Sequence, residues 1–265
     1  MAYRLLMSKV EDGVGLPFAV DELECSNVAA GASPIVHIWR HPRAVVLGLR
    51  DRRLPCARQA MDELEEAGWS VMVRNSGGAA VPLDDGVVNI TLITPSKPGA
   101  VHIHEDFRVM AQLVRDAVRL LVNNRDPNIQ SGEIAGAYCP GEYDLAIDGY
   151  KFCGIAQRRR IGANIVQAFV VVEGSGADRV KTVAQYYDTA SRGEAASNAN
   201  ALQVNEHSTR SLQELLGETA AITSDRFAEA VRTAILGDSL PISEARDYSL
   251  YDLVELRQMV ATMKQ

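Results

Sequence analysis

The chain has 265 residues, 47% apolar, 23% charged and 6% aromatic, a globular composition long enough to bury a sizeable core; disorder, collagen-like repeats and a coiled coil are excluded. Its 27 basic against 34 acidic side chains give a formal charge of −7, which argues against a general nucleic-acid binder, because phosphate contact needs a basic face. Four cysteines without a CxxC are too sparse for a disulfide scaffold or a four-thiolate zinc site. Nothing in residues 1–20 resembles a signal peptide, and no apolar run is long enough for a membrane span. The expectation is a cytoplasmic protein with reduced thiols, in which a conspicuous cysteine is a candidate nucleophile before it is a staple.

In chain order, residues 18–30 read as a short helix ended by Gly31. Ile35–Trp39 and Ala44–Leu47 are β-rich runs, and His41-Pro42-Arg43 between them reads as a hairpin turn. Pro55 opens a helix through Ala67, closed by Gly68. Val71–Val73 is a short strand. Val87–Ile93 is a longer one, whose face of Val88, Ile90 and Leu92 is expected to meet the core. The strongest helix runs over Glu105–Asn123, with apolar residues at three- and four-residue steps. Strands at Asp144–Ile147 and Phe152–Arg158 form a hairpin with Asp148-Gly149 at its tip. Ala168–Glu173 is another strand, and Gly174-Ser175-Gly176 a strand-to-helix turn. Beyond about residue 178 the pattern is helical, over 178–190, 208–217, 224–236 and 243–263, with Gly193–Ala201 as a connector. Strands and helices interleave irregularly and hairpins outnumber βαβ units, so the expected class is α+β, with a core over about 30–178 and a helical C-terminal region over 178–265 in one domain.

Three segments carry candidate chemistry. Between two strands, Arg74-Asn75-Ser76-Gly77-Gly78-Ala79-Ala80-Val81 has glycines that let a ligand approach the backbone and free N–H groups that bind an anion or carbonyl oxygen; a flexible turn is the plain alternative. Ala137-Tyr138-Cys139-Pro140-Gly141 places a cysteine at a loop tip, a thiolate nucleophile if a cation stands near, or else a half-buried structural thiol. The hairpin Asp144–Gln157 carries Lys151 among apolar residues, either a cation aimed into a pocket or an ordinary exposed lysine. Cys153 reads as core. His102 and His104 have the spacing to hold a metal from one strand face, but with only Glu105 following they read as solvated.

Taken together, these segments resemble the lipoate–protein ligase and octanoyltransferase superfamily, which shares its catalytic fold with biotin–protein ligase. Arg74-x-Ser76-Gly77-Gly78-Ala79-Ala80-Val81-x-x-Asp84 is similar to the family loop Arg-x-Ser-Gly-Gly-Gly-Ala-Val-x-His-Asp. Asp144-Leu145 through Gly149-x-Lys151-x-x-Gly154-x-Ala156-Gln157 is similar to its invariant-lysine hairpin, and Trp39-x-x-Pro42 through Gly48 to its N-terminal hairpin. The loop departs at Ala79, where the family has glycine, and at Leu83, where it has histidine; both changes disfavour an adenylate pocket. Tyr138-Cys139-Pro140-Gly141-x-Tyr143-Asp144 is similar instead to the cysteine loop of amidotransferase-type octanoyltransferases.

That resemblance implies a biotin/lipoate ligase-like catalytic domain with mixed, mostly antiparallel sheets. It implies an acyltransferase of lipoate assembly that moves octanoyl from octanoylated glycine cleavage H protein to the lipoyl domains of 2-oxoacid dehydrogenase E2 subunits. Cys139 then carries the acyl group as a thioester, and Lys151 lowers its pKa. Arg74, Ser76, Gly77, Gly78, Ala79, Asp84, Asp144, Gly154 and Ala156 bind substrate, with the Ala79 methyl narrowing the acyl slot. No metal, nucleotide or redox cofactor is required. An ATP-dependent lipoate ligase and an octanoyl-acyl carrier protein:protein octanoyltransferase are the alternatives within the superfamily. Two basic clusters, Arg50/Arg52/Arg53 and Arg158/Arg159/Arg160, are candidates for docking an acidic carrier.

Overall fold

A computed structural model describes residues 2–11, 13–75, 77–96, 103–192, 203–217, 222–237 and 239–263. An eight-stranded sheet forms its middle layer, in the order β11 (Glu244–Ala245), β1 (Arg4–Lys9), β2 (Ile35–Arg40), β6 (Val87–Pro95), β10 (Ala163–Val171), β9 (Tyr150–Arg160), β8 (Leu145–Ile147), β7 (Gln130–Ser131). A second sheet has the order β4 (Ser70–Val73), β3 (Arg43–Leu47), β5 (Val81–Asp84). Most strand pairs are antiparallel, with β1–β2, β1–β11 and β3–β4 parallel, so the expected α+β class with mixed sheets holds. The helices are α1 (Gly15–Ala29), α2 (Ala57–Glu66), α3 (Ile103–Leu121), α4 (Gly176–Ala190), α5 (Leu212–Leu216), α6 (Ser224–Leu236) and α7 (Leu253–Met263). Among the described residues, no helix is long and apolar enough to cross a membrane.

The middle of the large sheet is buried on both faces. Val88, Ile90 and Leu92 of β6 meet Met110, Val114, Ala117 and Leu121 of α3 and Phe227 and Val231 of α6, as the alternation of the strand requires. Each buried Leu or Val of the α3 stripe contributes about 1.5–3 kcal/mol, against about 0.2–0.5 kcal/mol for a surface pair such as Gln112–Asp116. Packing therefore decides this helix. The other β6 face is covered too: Val87 enters the core beneath the small sheet, and Ile93 enters the core beneath α1. The expectation of one core face is thus corrected to two, and polar Asn89 and Thr91 become interior residues.

Three further expectations change. His41-Pro42-Arg43 closes no hairpin, because both edges of β2 are already taken by β1 and β6, so the chain crosses to the second sheet and β3 pairs there with β4 and β5. The expected helix over 243–263 begins only at Leu253; Glu244 and Ala245 instead pair with Leu5 and Leu6 and extend the sheet edge. The helix over 208–217 shortens to α5, entered through a Ser211/Glu214 capping box, while Ser208–Arg210 runs beside Lys151. The Asp148-Gly149 hairpin is as expected, both residues taking the positive φ that a two-residue turn of this hand demands. The connector over 193–201 lies outside the described residues.

Candidate active site

Between β4 and β5 the glycine loop is shaped by Arg74. Its buried guanidinium donates to the carbonyls of Val46 (3.1 Å), Gly77 (3.0 Å) and Ala79 (2.8 Å). Gly78 has φ +96, and a β-carbon there would strike this guanidinium and stand 2.9 Å from the Cys139 Sγ. Gly78→Ala is therefore expected to lower the melting temperature more than Gly77→Ala, whose β-carbon would meet nothing within 4 Å; thermal melts of the two variants check this. Beneath the loop, Asp51 accepts from the Gly48 N–H (2.7 Å) and the Tyr187 hydroxyl (2.7 Å), and that hydroxyl accepts from the Ala80 N–H (3.2 Å). Burial pushes the Asp51 carboxyl up against the pull of these donors. Sequence reasoning missed both residues: Asp51 sits among three arginines and reads as part of a solvated basic turn. Ser76 lies outside the described residues.

Cys139 is held in the left-handed region at φ +46, which a non-glycine residue adopts only under restraint. The restraint is Lys151, fully buried, whose Nζ donates to the carbonyls of Tyr138 (2.9 Å) and Cys139 (2.6 Å) and lies 2.7 Å from Asp144 Oδ2. Asp144 also accepts the Gly141 N–H at 3.0 Å. Burial pushes the Asp144 carboxyl up to about 6, with the Lys151 ammonium pulling it back. The Cys139 sulfur has other neighbours, the Ala79 N–H at 3.4 Å and the Arg74 guanidinium at 3.7 Å. Lys151 thus holds the main chain of the cysteine loop, and the cation in contact with the sulfur is Arg74. Cys153 is buried in the core, where burial pushes its thiol up, as expected of a core cysteine.

The sulfur opens onto a cavity of about 260 Å³ between the two sheets. Gly77, Gly78, Gly154, Ala156 and Phe169 line it near Cys139, and an edge-to-face pair of Phe18 and Trp39 lines it on β2 and α1. A β-carbon on Gly154 would overlap the Phe169 ring and approach Lys151 Nζ to 3.2 Å, so glycine is needed for both to close on the site. Cys139 is the one cysteine of the four that lines the cavity.

Three expected binding residues stand apart from this lining. Ala79 contributes its N–H to the sulfur while its side chain packs on the small-sheet core, so its methyl does not narrow the slot. Asp144 lies beneath the cysteine loop. Asp84 pairs with Arg179 at 2.6 Å and lines a separate charged cavity of about 550 Å³. The second arginine cluster is engaged: Arg158 and Arg160 both pair with Glu22, and Arg159 with Asp106 at 3.1 Å. His104 is exposed on α3 beside the Tyr143 hydroxyl, and His102 lies outside the described residues.

Residues 15–236 match the family model described as the lipoyl protein ligase A/B catalytic domain. The chain belongs to this family. An octanoyl-GcvH:protein N-octanoyltransferase of Anoxybacillus flavithermus is 38% identical over 240 residues, covering 88% of this chain and 85% of that protein. One of Macrococcus caseolyticus is 35% identical over 238 residues, covering 89% and 85%. Among solved structures, a lipoate-protein ligase A bound with ATP is similar at TM-score 0.68 and 20% identity, covering 99% of this chain and 93% of that one. That likeness shows the lipoate ligase fold, here with a cysteine at the mouth of the cavity.

Proposed function

We propose that this member of the lipoyl protein ligase A/B family is an octanoyltransferase that moves octanoyl from a lysine of glycine cleavage H protein to lysines of lipoyl domains through a thioester on Cys139. The curated relatives named for that reaction support the substrate pair. The observation that carries the chemistry is the Cys139 sulfur, set between an N–H and a guanidinium at the mouth of a largely apolar cavity.

An amide resists attack, so the nucleophile must be strong and the leaving amine must gain a proton. The Arg74 guanidinium and the Ala79 N–H face the Cys139 sulfur and offer it a charge and a hydrogen bond as it attacks. The sulfur attacks the octanoyl carbonyl, the C–S bond forms and the C–N bond breaks. The proton that left the thiol ends on the departing lysine amine through solvent at the mouth. The acceptor amine then attacks the thioester carbonyl, loses a proton, and returns the sulfur as thiolate. The bound tail is held by burial, each methylene contributing roughly 0.8 kcal/mol.

The test is transfer between octanoylated H protein and a lipoyl domain, with purified protein and no nucleotide, followed by intact mass. Octanoylated lipoyl domain is the expected product. Transfer that requires ATP, or none from the H protein, overturns the reading.

A further inference from the structure

The floor of the cavity carries polar groups that an octanoyl tail does not call for. Strands β9, β10, β6 and β2 lie side by side, and their registers set two rows on one face: Gly154, Phe169, Asn89 and Trp39, then Ala156, Gln167, Thr91 and His37. The first row starts under the catalytic loop, since Gly154 adjoins the Lys151 ammonium that holds the Cys139 carbonyl. From Gly154 to Asn89 is two strand spacings, about 9.5 Å. Seven carbons past an octanoyl carbonyl reach about 8 Å, at roughly 1.2 Å per bond of an extended chain. A tail lying across the strands toward Trp39 ends over Asn89, Thr91 and Gln167, all three of which line the cavity.

These polar groups are oriented from behind. Asp21 of α1, 2% exposed, faces the sheet and accepts from His37 Nδ1 (2.8 Å), the Thr91 hydroxyl (2.7 Å) and Gln167 Nε2 (2.9 Å). His37 can then accept the Tyr248 hydroxyl at Nε2 (3.0 Å). Asn89 Nδ2 donates to the Trp39 carbonyl (3.4 Å). The Thr91 hydroxyl and one N–H of each amide thus point at protein, while Asn89 Oδ1 and Gln167 Oε1 find no hydrogen-bond partner among the described residues. The band offers the cavity two amide oxygens and the second N–H of each amide.

We propose that Asn89, Thr91 and Gln167, the last two positioned by Asp21, form a polar stop that sets the acyl length at eight carbons; this rests on the octanoyltransferase reading above. An added methylene gains transfer out of water but strips water from these polar groups and returns no hydrogen bond, and the second effect is the larger. A terminal hydroxyl at the same place both donates and accepts, so it replaces the water that is lost. The stop therefore discriminates by chemistry, whereas the Phe18–Trp39 pair behind it would discriminate by size alone.

Carriers charged with octanoyl, nonanoyl and 8-hydroxyoctanoyl separate the two, because the last two have equal numbers of non-hydrogen atoms. The expected result is 8-hydroxyoctanoyl transferred roughly tenfold faster than nonanoyl, in kcat/KM, by the unaltered protein. In Gln167→Leu and in Asn89→Leu that ratio should fall several-fold toward or below one, and in Asp21→Asn it should fall too. A merely structural role would slow both substrates alike and leave the ratio where it was. Equal rates for the two acyl groups in the unaltered protein, or an unchanged ratio in both leucine variants, overturns the polar stop. If a variant does not fold, the comparison in the unaltered protein decides alone. Absence of octanoyl transfer itself counts against the octanoyltransferase reading, which the octanoyl control reports separately.

Discussion

Cys139→Ala is expected to lose octanoyl transfer by about three orders of magnitude or more, as removal of a nucleophile does, without loss of fold. Cys139→Gly is expected to be equally inactive yet more stable than the alanine variant. The reason is the backbone at φ +46, which alanine must still adopt under strain and glycine adopts freely. The strain is about 1–2 kcal/mol, part of it offset by the greater freedom of glycine in the unfolded chain. A difference near 1 kcal/mol moves the Tm of a chain of this size by about 2–4 °C. Rate assays and thermal melts of the two variants together check this. A glycine variant that melts below the alanine variant would mean that the loop is not held against its preference.

Lys151→Met is expected to abolish transfer as well, but by loosening the cysteine loop and the fold. Lys151 and Asp144 are both within 1% of complete burial, and breaking such a pair from one side costs about 3–5 kcal/mol. The double variant Lys151→Met/Asp144→Leu removes both charges, so most of the stability should return, while activity should not, because the carbonyls of Tyr138 and Cys139 stay unheld. Denaturant unfolding beside a transfer assay measures both. Acid gives the same pair another test. The Asp144 carboxyl, at about 6 in the fold, lies above its unfolded value of about 3.9. The fold therefore takes up this proton first as pH falls. Between about 6 and 4 this group alone adds stability on acidification, and its destabilising contribution is fully present above 6. Transfer has the opposite sign: below about pH 6 the Lys151 ammonium loses its counter-charge, so the rate falls. A rate profile flat down to pH 5 would contradict this, as would an acid limb that survives in Asp144→Asn.

What was legible in the sequence is what local chemistry decides. Asp148-Gly149 announces its hairpin, and that hairpin carries Lys151 to a place twelve residues from Cys139, beside a loop rich in glycine. The long helix over Glu105–Asn123 shows its stripe, and α3 follows it closely. The rest depends on partners far along the chain. β5 and β11 are short, and β11 exists only because Leu5 and Leu6 offer an edge. Asn89 and Thr91 alternate with apolar residues, a pattern that reads as a solvated face until a second sheet and α1 cover it. Lys151 was recognisable as an unusual lysine. That its ammonium clamps main-chain carbonyls while Arg74 faces the sulfur needs the loop closed in three dimensions. Arg158 and Arg160 look like a basic patch in the sequence, and Glu22, more than a hundred residues earlier, engages both.

Whether the acyl group passes through Cys139 is read from the covalent adduct itself. The protein is mixed with octanoylated H protein without nucleotide or acceptor, quenched in acid and digested, and its cysteine peptides are weighed. An octanoyl mass is expected on the peptide of Cys139, labile to hydroxylamine as a thioester is, and none on Cys25, Cys56 or Cys153. Transfer to an added lipoyl domain with no adduct on Cys139, or an adduct on another cysteine, would contradict it.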